Sequence, residues 1–165
     1  MTTTVDIDAT LARMADALKP TAALNPVMVG VHTGGAWVAT RLHQMLGLKD
    51  PLGQLDISFY RDDFTRIGMN PQVKASNLPF NVEDRHVILV DDVLHTGRTV
   101  RAAMNVIFDY GRPMSVVLAT LVDRGGRELP IEANVVGARL SLTKGQHAKL
   151  TGPEPLALVV QEARA

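Results

Sequence analysis

Residues 87–99 constrain this chain more than any other stretch. They read Val87-Ile88-Leu89-Val90-Asp91-Asp92-Val93-Leu94-His95-Thr96-Gly97-Arg98-Thr99. Four consecutive apolar residues at 87–90 predict a strand covered on both faces, as in a parallel sheet. Two carboxylates, Asp91 and Asp92, sit where that strand emerges. A short loop with hydroxyls and a glycine follows, and helical spacing then runs over 99–110 until Gly111-Arg112-Pro113 stops it. The first turn of a helix has N–H groups without intrahelical partners and a positive dipole end, so it suits a phosphate. Gly97 permits close backbone approach, and the hydroxyls of Thr96 and Thr99 are donors. Arg98 either adds positive charge or points to solvent. Bare carboxylates repel phosphate, so Asp91 and Asp92 should face something else. Ribose hydroxyls fit, and so does a Mg²⁺ ion held by oxygen ligands, often through water. A sugar phosphate with vicinal hydroxyls and a Mg²⁺-bound diphosphate meets both needs. The Rossmann and P-loop readings fail, because no G-x-G-x-x-G follows a strand and no G-x-x-x-x-G-K-[ST] occurs.

The rest of the chain frames that segment with alternating strands and helices. Leu11, Met14, Ala15 and Leu18 share one helix face over residues 8–23, with Asp8 or Thr10 as cap and Pro20 limiting the far end. Residues 27–31 read as a buried strand, 32–35 as a glycine-containing turn, and 36–46 as a helix ended by Gly47. Residues 55–60 alternate as a half-buried strand. Residues 61–80 are polar and broken by Gly68, Pro71 and Pro79, a long loop of the kind that is usually functional or mobile. Residues 115–122 form the next buried strand, with shorter segments near 135–136 and 156–160. The pattern predicts an α/β domain with a mainly parallel central sheet flanked by helices, binding its ligand at the carboxyl ends of the strands. No linker divides residues 1–165, so a single domain is expected.

Composition narrows the function classes. Lys plus Arg and Asp plus Glu are 17 each, which gives no general attraction to nucleic acid or acidic membrane. The absence of cysteine excludes disulfides and thiolate metal sites. No apolar run approaches the roughly 20 residues of a bilayer span and no signal peptide is read, so no membrane partner and a cytoplasmic location are expected.

Residues 87–99 resemble the phosphoribosyl-diphosphate signature of type I phosphoribosyltransferases at every position of the motif. The likeness widens with Asp56-Ile57-Ser58-Phe59-Tyr60-Arg61-Asp62-Asp63, with Gly111-Arg112-Pro113, and with Leu121-Val122-Asp123-Arg124-Gly125-Gly126-Arg127-Glu128-Leu129-Pro130-Ile131. Together these resemble the PyrR family over residues 27–145. The resemblance implies a type I fold with a small hood and a flexible active-site loop. It also implies uracil phosphoribosyltransferase activity, with possible regulation of pyrimidine genes through a pyr mRNA leader. A sensor of UMP or UTP with little or no catalysis is the alternative, and a purine-specific transferase is a third reading.

Roles carry over residue by residue from that resemblance. Asp91 and Asp92 would meet the ribose hydroxyls and take Mg²⁺ indirectly or through substrate. Thr96, Gly97, Arg98 and Thr99 would grip the 5′-phosphate, with His95 touching the ligand or facing solvent. Thr33, Gly34 and Gly35 would hold the diphosphate, their N–H groups forming an anion-binding nest. The family often has Arg where this chain has Gly34, so Gly34→Arg is expected to lower the KM for phosphoribosyl diphosphate. Arg61 opens the loop that shields the reaction, or is a solvated surface partner of its acidic neighbours. Arg124 would contact diphosphate or form a structural ion pair. Val135 and Val136 would cover the nucleobase or form a core strand. RNA would meet basic residues drawn from Arg13, Lys19, Arg112, Arg124, Arg127, Arg139, Lys144 and Lys149. A homo-oligomer is expected, because type I relatives commonly associate.

Overall fold

The structure is a computed structural model that describes residues 5–57 and 77–162. Helix α1 (Ile7–Ala22) is followed by β1 (Val27–Val31), α2 (Gly34–Leu46) and β2 (Gly53–Leu55). Then come β3 (His86–Leu94), α3 (Arg98–Tyr110), β4 (Ser115–Asp123) and β5 (Val135–Arg139). A hairpin of β6 (Gln146–Thr151) and β7 (Ala157–Glu162) ends the described chain. The central sheet has the order β2-β1-β3-β4-β5 with every pairing parallel, and β6 with β7 forms a separate antiparallel pair.

Strand burial explains the continuous apolar runs. Met28, Ile88, Val90, Ala119 and Leu121 point to one face, where α1, α2 and the hairpin cover them. Val27, Val29, Val87, Leu89 and Leu118 point to the other, against Val100, Ala103, Val106 and Ile107 of α3. A sheet covered on both faces has no polar alternation to display. On α1 the expected face is the buried one, Leu11, Met14, Ala15 and Leu18, joined by Ile7. Cutting back a fully buried leucine there, Leu11→Ala, removes about 3 kcal/mol of stability.

Several boundaries differ from the sequence reading for local reasons. The cap of α1 is Asp6, not Asp8 or Thr10: its carboxylate accepts from the Ala9 N–H at 3.0 Å. Pro20 lies inside α1, and the helix continues to Ala22. The strand expected over 55–60 pairs only as far as Leu55, and residues 58–60 lie outside the described part. Strand β3 continues through Asp91 and Asp92 to Leu94, because β4 keeps pairing with it, Asp91 opposite Thr120 and Leu94 opposite Asp123. β6 was not foreseen, since Gln146-His147-Ala148-Lys149-Leu150-Thr151 has one large apolar side chain in six residues.

Two features put a crevice at the carboxyl edge. β1 pairs with β3 only up to Gly30 opposite Val90, so the last residues of β3 have no β1 neighbour. The helices after these two adjacent strands leave to opposite faces, α2 to one and α3 to the other. That is a topological switch point, where open α/β sheets bind ligands.

Candidate active site

The acids sit in that crevice on β3. Asp91 is 3% exposed and its Oδ1 accepts the Asp92 N–H at 2.8 Å. Asp92 turns Oδ1 to the Val93 N–H at 2.8 Å, while Oδ2 lies over Gly34. The turn after β1 packs directly on this pair and includes a cis peptide bond between His32 and Thr33. A Cβ at Gly35 would come 2.8 Å from the Val90 carbonyl oxygen, and one at Gly34 would overlap the Asp92 carboxylate. Gly35 is therefore glycine for close approach to the backbone of the acid strand, whereas Gly34 meets only the Asp92 side chain. A side chain at Gly34 would displace the Asp92 carboxylate, and kinetics on Gly34→Arg decide whether the added charge lowers the KM as expected.

Two adjoining cavities share Asp91, Val93 and Thr99. One, of about 140 Å³, is lined by His95, Thr96, Gly97 and Thr99. It lies at the start of α3, where Gly97 caps the helix with a φ of 94°, a conformation that suits glycine. The other, of about 240 Å³, is lined by His32, Thr33, Asp91, Asp92, Ile57 and Lys149. The first has the donors and dipole for a phosphate; the second joins two carboxylates to the glycine turn. Thr33, Gly34 and Gly35 are thus brought to Asp91 and Asp92, as are Thr96, Gly97 and Thr99.

The segment after β4 braces the loop between β3 and α3. The Glu128 and Leu129 N–H groups both donate to the Thr96 carbonyl, at 2.9 and 3.1 Å. Arg127 donates to the His95 carbonyl at 2.9 Å, to the Ile131 carbonyl at 2.7 Å and to Asp123 Oδ2 at 2.6 Å. His95 turns its Nδ1 to the Gly125 carbonyl at 2.9 Å, and Arg98 pairs with Glu128 at 2.8 Å. These two side chains are thus committed to the brace. Burial by itself would raise the pKa of Asp123. The Arg127 hydrogen bond, the Gly125 N–H and the charges of Arg127 and Arg139 outweigh it and hold the carboxyl below its ordinary value. The same hydrogen bond raises the pKa of Arg127. Sequence reasoning treated Arg127 only as a basic surface residue; its four-residue spacing from Asp123 was the available signal.

The remaining expected residues scatter. Arg124 lines a separate cavity of about 300 Å³ with Asp123, Glu132 and Arg139, and its Nε is buried with no hydrogen-bond partner among the described residues. Val135 and Val136 stand opposite Ala119 and Thr120, on the edge strand β5. Val135 is a core residue at 9% exposure, so the core-strand alternative describes it. At the carboxyl end of β5 stands Arg139, paired with Asp123 at 3.1 Å. Arg13 reaches the Gly137 carbonyl at 3.3 Å, Lys19 pairs with Asp16 at 2.9 Å, and Lys144 lies on the exposed turn before β6. Arg61 lies outside the described residues.

The donor set bears on a metal. Among the described residues no group of three or more His, Cys, Asp or Glu side chains converges as a metal cage. Two neighbouring carboxylates beside a phosphate-sized cavity fit Mg²⁺, which is usually held by one or two carboxylates together with substrate phosphates. Among the described residues no helix is long and apolar enough to cross a membrane.

Comparison with known proteins agrees with this geometry. The family model described as the phosphoribosyl transferase domain matches residues 6–150. The bifunctional protein PyrR of Nitrosococcus oceani is 65% identical over 138 residues, 82% of this chain and 78% of that protein. The bifunctional protein PyrR of a Pseudomonas putida strain is 54% identical over 158 residues, 96% of this chain and 88% of that one. Among solved structures, a purine phosphoribosyltransferase from Pyrococcus horikoshii superimposes with a TM-score of 0.65 at 23% identity, covering 82% of each chain. At that identity the likeness concerns the fold.

Proposed function

The chain belongs to the phosphoribosyl transferase domain family and, within it, to the PyrR proteins, and on that premise we propose that it converts uracil and phosphoribosyl diphosphate into UMP and diphosphate. The observation that carries the reading is the pair of adjoining cavities sharing Asp91 and Thr99, one built for a phosphate and one facing two carboxylates. The 5′-phosphate would sit on the N–H groups at the start of α3, with Thr96 and Thr99 donating. Asp91 and Asp92 would accept hydrogen bonds from the ribose hydroxyls and face the positive charge that builds on the ring as the anomeric bond breaks. The electron pair of that bond leaves with the diphosphate, N1 of uracil bonds to the anomeric carbon, and the N1 proton passes to solvent. Mg²⁺, when bound through the substrate phosphates and Asp91 or Asp92, neutralises charge on the leaving group. The residues orient and stabilise; no covalent intermediate is invoked. Arg61 is assigned to shielding the reaction on the resemblance alone.

The test is UMP formation from uracil, phosphoribosyl diphosphate and Mg²⁺, run beside hypoxanthine, guanine, adenine and orotate. Turnover with uracil alone is expected; turnover with a purine instead would replace the assignment. Removal of Mg²⁺ with a chelator should abolish turnover, and unchanged activity would remove the metal from the scheme.

The word bifunctional in the relatives' names favours a second reading, a pyrimidine-responsive regulator that binds a pyr mRNA leader and senses UMP or UTP. The cations it would use are partly committed: Arg139 and Arg127 to Asp123, Lys19 to Asp16. Binding to a specific leader RNA that weakens steeply with salt would support it. No binding above background at low salt would exclude it. The reading places the protein in the cytoplasm, as one domain, since Leu150 and Leu156 at the C-terminal hairpin join the core under α1 and α2. A homo-oligomer is proposed through exposed Phe108, Tyr110 and Met114 at the end of α3, to be checked by sedimentation.

A further inference from the structure

A diphosphate carries several negative charges, and the turn that would hold it brings no cation of its own. His32 is turned to Gln54 at 2.8 Å, Thr33 is neutral, and Gly34 and Gly35 have no side chain. The space beside Gly34 is taken by the Asp92 carboxylate. Asp91 and Asp92 line the same cavity and repel an anion. Among the described residues around it, Lys149 is the only lysine or arginine.

Lys149 comes from the C-terminal hairpin, far along the chain from the motif. It stands opposite Val159 in the β6–β7 ladder, and no acidic side chain among the described residues lies within ion-pair distance of it. Its neighbour Ala148 lines the same cavity. The strand is anchored: Leu150 is 4% exposed and belongs to the core under α1 and α2. The hairpin turn packs on α2, where a Cβ at Gly152 would come 3.2 Å from the Trp37 ring. An ammonium on a flexible stem, carried by a fixed strand and lacking an acidic partner, can turn to an anion in the cavity.

We propose that Lys149 is a cationic contact to the diphosphate, the one supplied there by the described residues, delivered by the C-terminal hairpin into the cavity between the His32-Thr33 turn and Asp91-Asp92. This rests on the phosphoribosyl-transfer reading and deepens it. Lys149 binds the diphosphate half of the substrate and stabilises it as it departs with the electrons of the anomeric bond. The uracil and 5′-phosphate ends of the site do not depend on it. The contact is solvent-accessible, so its strength falls as salt rises.

The experiment compares wild type, Lys149→Ala and Lys149→Arg. It measures the KM for phosphoribosyl diphosphate, the affinity for diphosphate with Mg²⁺ by calorimetry, and the affinity for UMP. Lys149→Ala is expected to weaken diphosphate binding about tenfold, the scale of one charge-assisted contact. UMP binding should stay within about twofold, the melting temperature should hold, and Lys149→Arg should recover most of the loss. The gap between wild type and Lys149→Ala should narrow with added salt. Unchanged diphosphate affinity in Lys149→Ala overturns the proposal while leaving the transferase reading intact. Equal loss of UMP and diphosphate affinity also overturns it, by assigning Lys149 to the fold. If wild type makes no UMP, the transferase reading fails, and the diphosphate calorimetry still decides for or against Lys149.

Discussion

Asp92 and Asp123 stand near the carboxyl ends of neighbouring strands, yet their surroundings are opposite. Asp123 is 4% exposed and holds Arg127 at 2.6 Å, Arg139 at 3.1 Å and the Gly125 N–H at 2.9 Å. Its charge is spent on the protein. Among the described residues the Asp92 carboxylate accepts from the Val93 N–H of its own strand at 2.8 Å, has no cation within ion-pair distance, and borders a cavity. An acid neutralised by fixed arginines organises a scaffold; an acid left facing a cavity is available to a ligand. Here the scaffold acid supports the proposed site at one remove, because Arg127, which it holds, also holds the His95 carbonyl in the loop between β3 and α3.

The sharpest way to break this contrast is to neutralise the ligand-facing acids. Asp91→Asn with Asp92→Asn should leave the fold intact by circular dichroism and depress UMP formation by about a hundredfold or more, the usual scale for lost transition-state electrostatics. Near-native turnover in the doubly changed protein would mean that the site is elsewhere.

Next comes the scaffold acid. Arg127→Ala leaves Asp123 buried with only the exposed Arg139 as counter-charge, and should cost about 3 kcal/mol in denaturant unfolding. Asp123 also sets a pH dependence of definite sign. Its folded pKa is lowered from the ordinary 3.8, so its contribution is fully present above that value and is lost as pH falls through the lowered one. Wild type should keep a constant melting-temperature margin over Asp123→Asn at neutral and mildly acidic pH. The margin should shrink only below about pH 4. A margin that shrinks at higher pH would mean that the arginines do not dominate Asp123.

A smaller effect tests the glycine turn. Gly34→Ala should raise the KM for phosphoribosyl diphosphate several-fold, because its Cβ displaces the Asp92 carboxylate; an unchanged KM would mean that Asp92 moves aside without consequence. The smallest effect belongs to Arg98, whose pair with Glu128 is about half exposed on both sides. Arg98→Ala should change stability by less than about 1 kcal/mol. A larger loss would mean that the Arg98–Glu128 pair carries more of the brace than its exposure allows.

Much of this protein was legible from its sequence by itself. The run 87–90, the two acids and the Thr96–Thr99 loop are contiguous, so a buried strand, a pair of acids at its carboxyl end and a helix start could be read from short-range chemistry. The parallel sheet followed from apolar runs without alternation, and Gly47 marked the end of α2 through its left-handed φ of 60°. Tertiary structure alone decided the rest. Where β1 stops pairing with β3 determines that Asp91 and Asp92 face a crevice, and register is not written in either strand. The close packing of Gly34 on Asp92 joins residues 58 positions apart. Arg127 became a brace because four acceptors, the His95 and Ile131 carbonyls and the Asp123 and Glu132 carboxylates, converge on its guanidinium. Lys149 reached the cavity because the hairpin's weak apolar signal is anchored by Leu150 and Leu156 in a core built by other elements. Local pattern determines which segments form and what chemistry they carry; only packing decides which distant side chain completes the site.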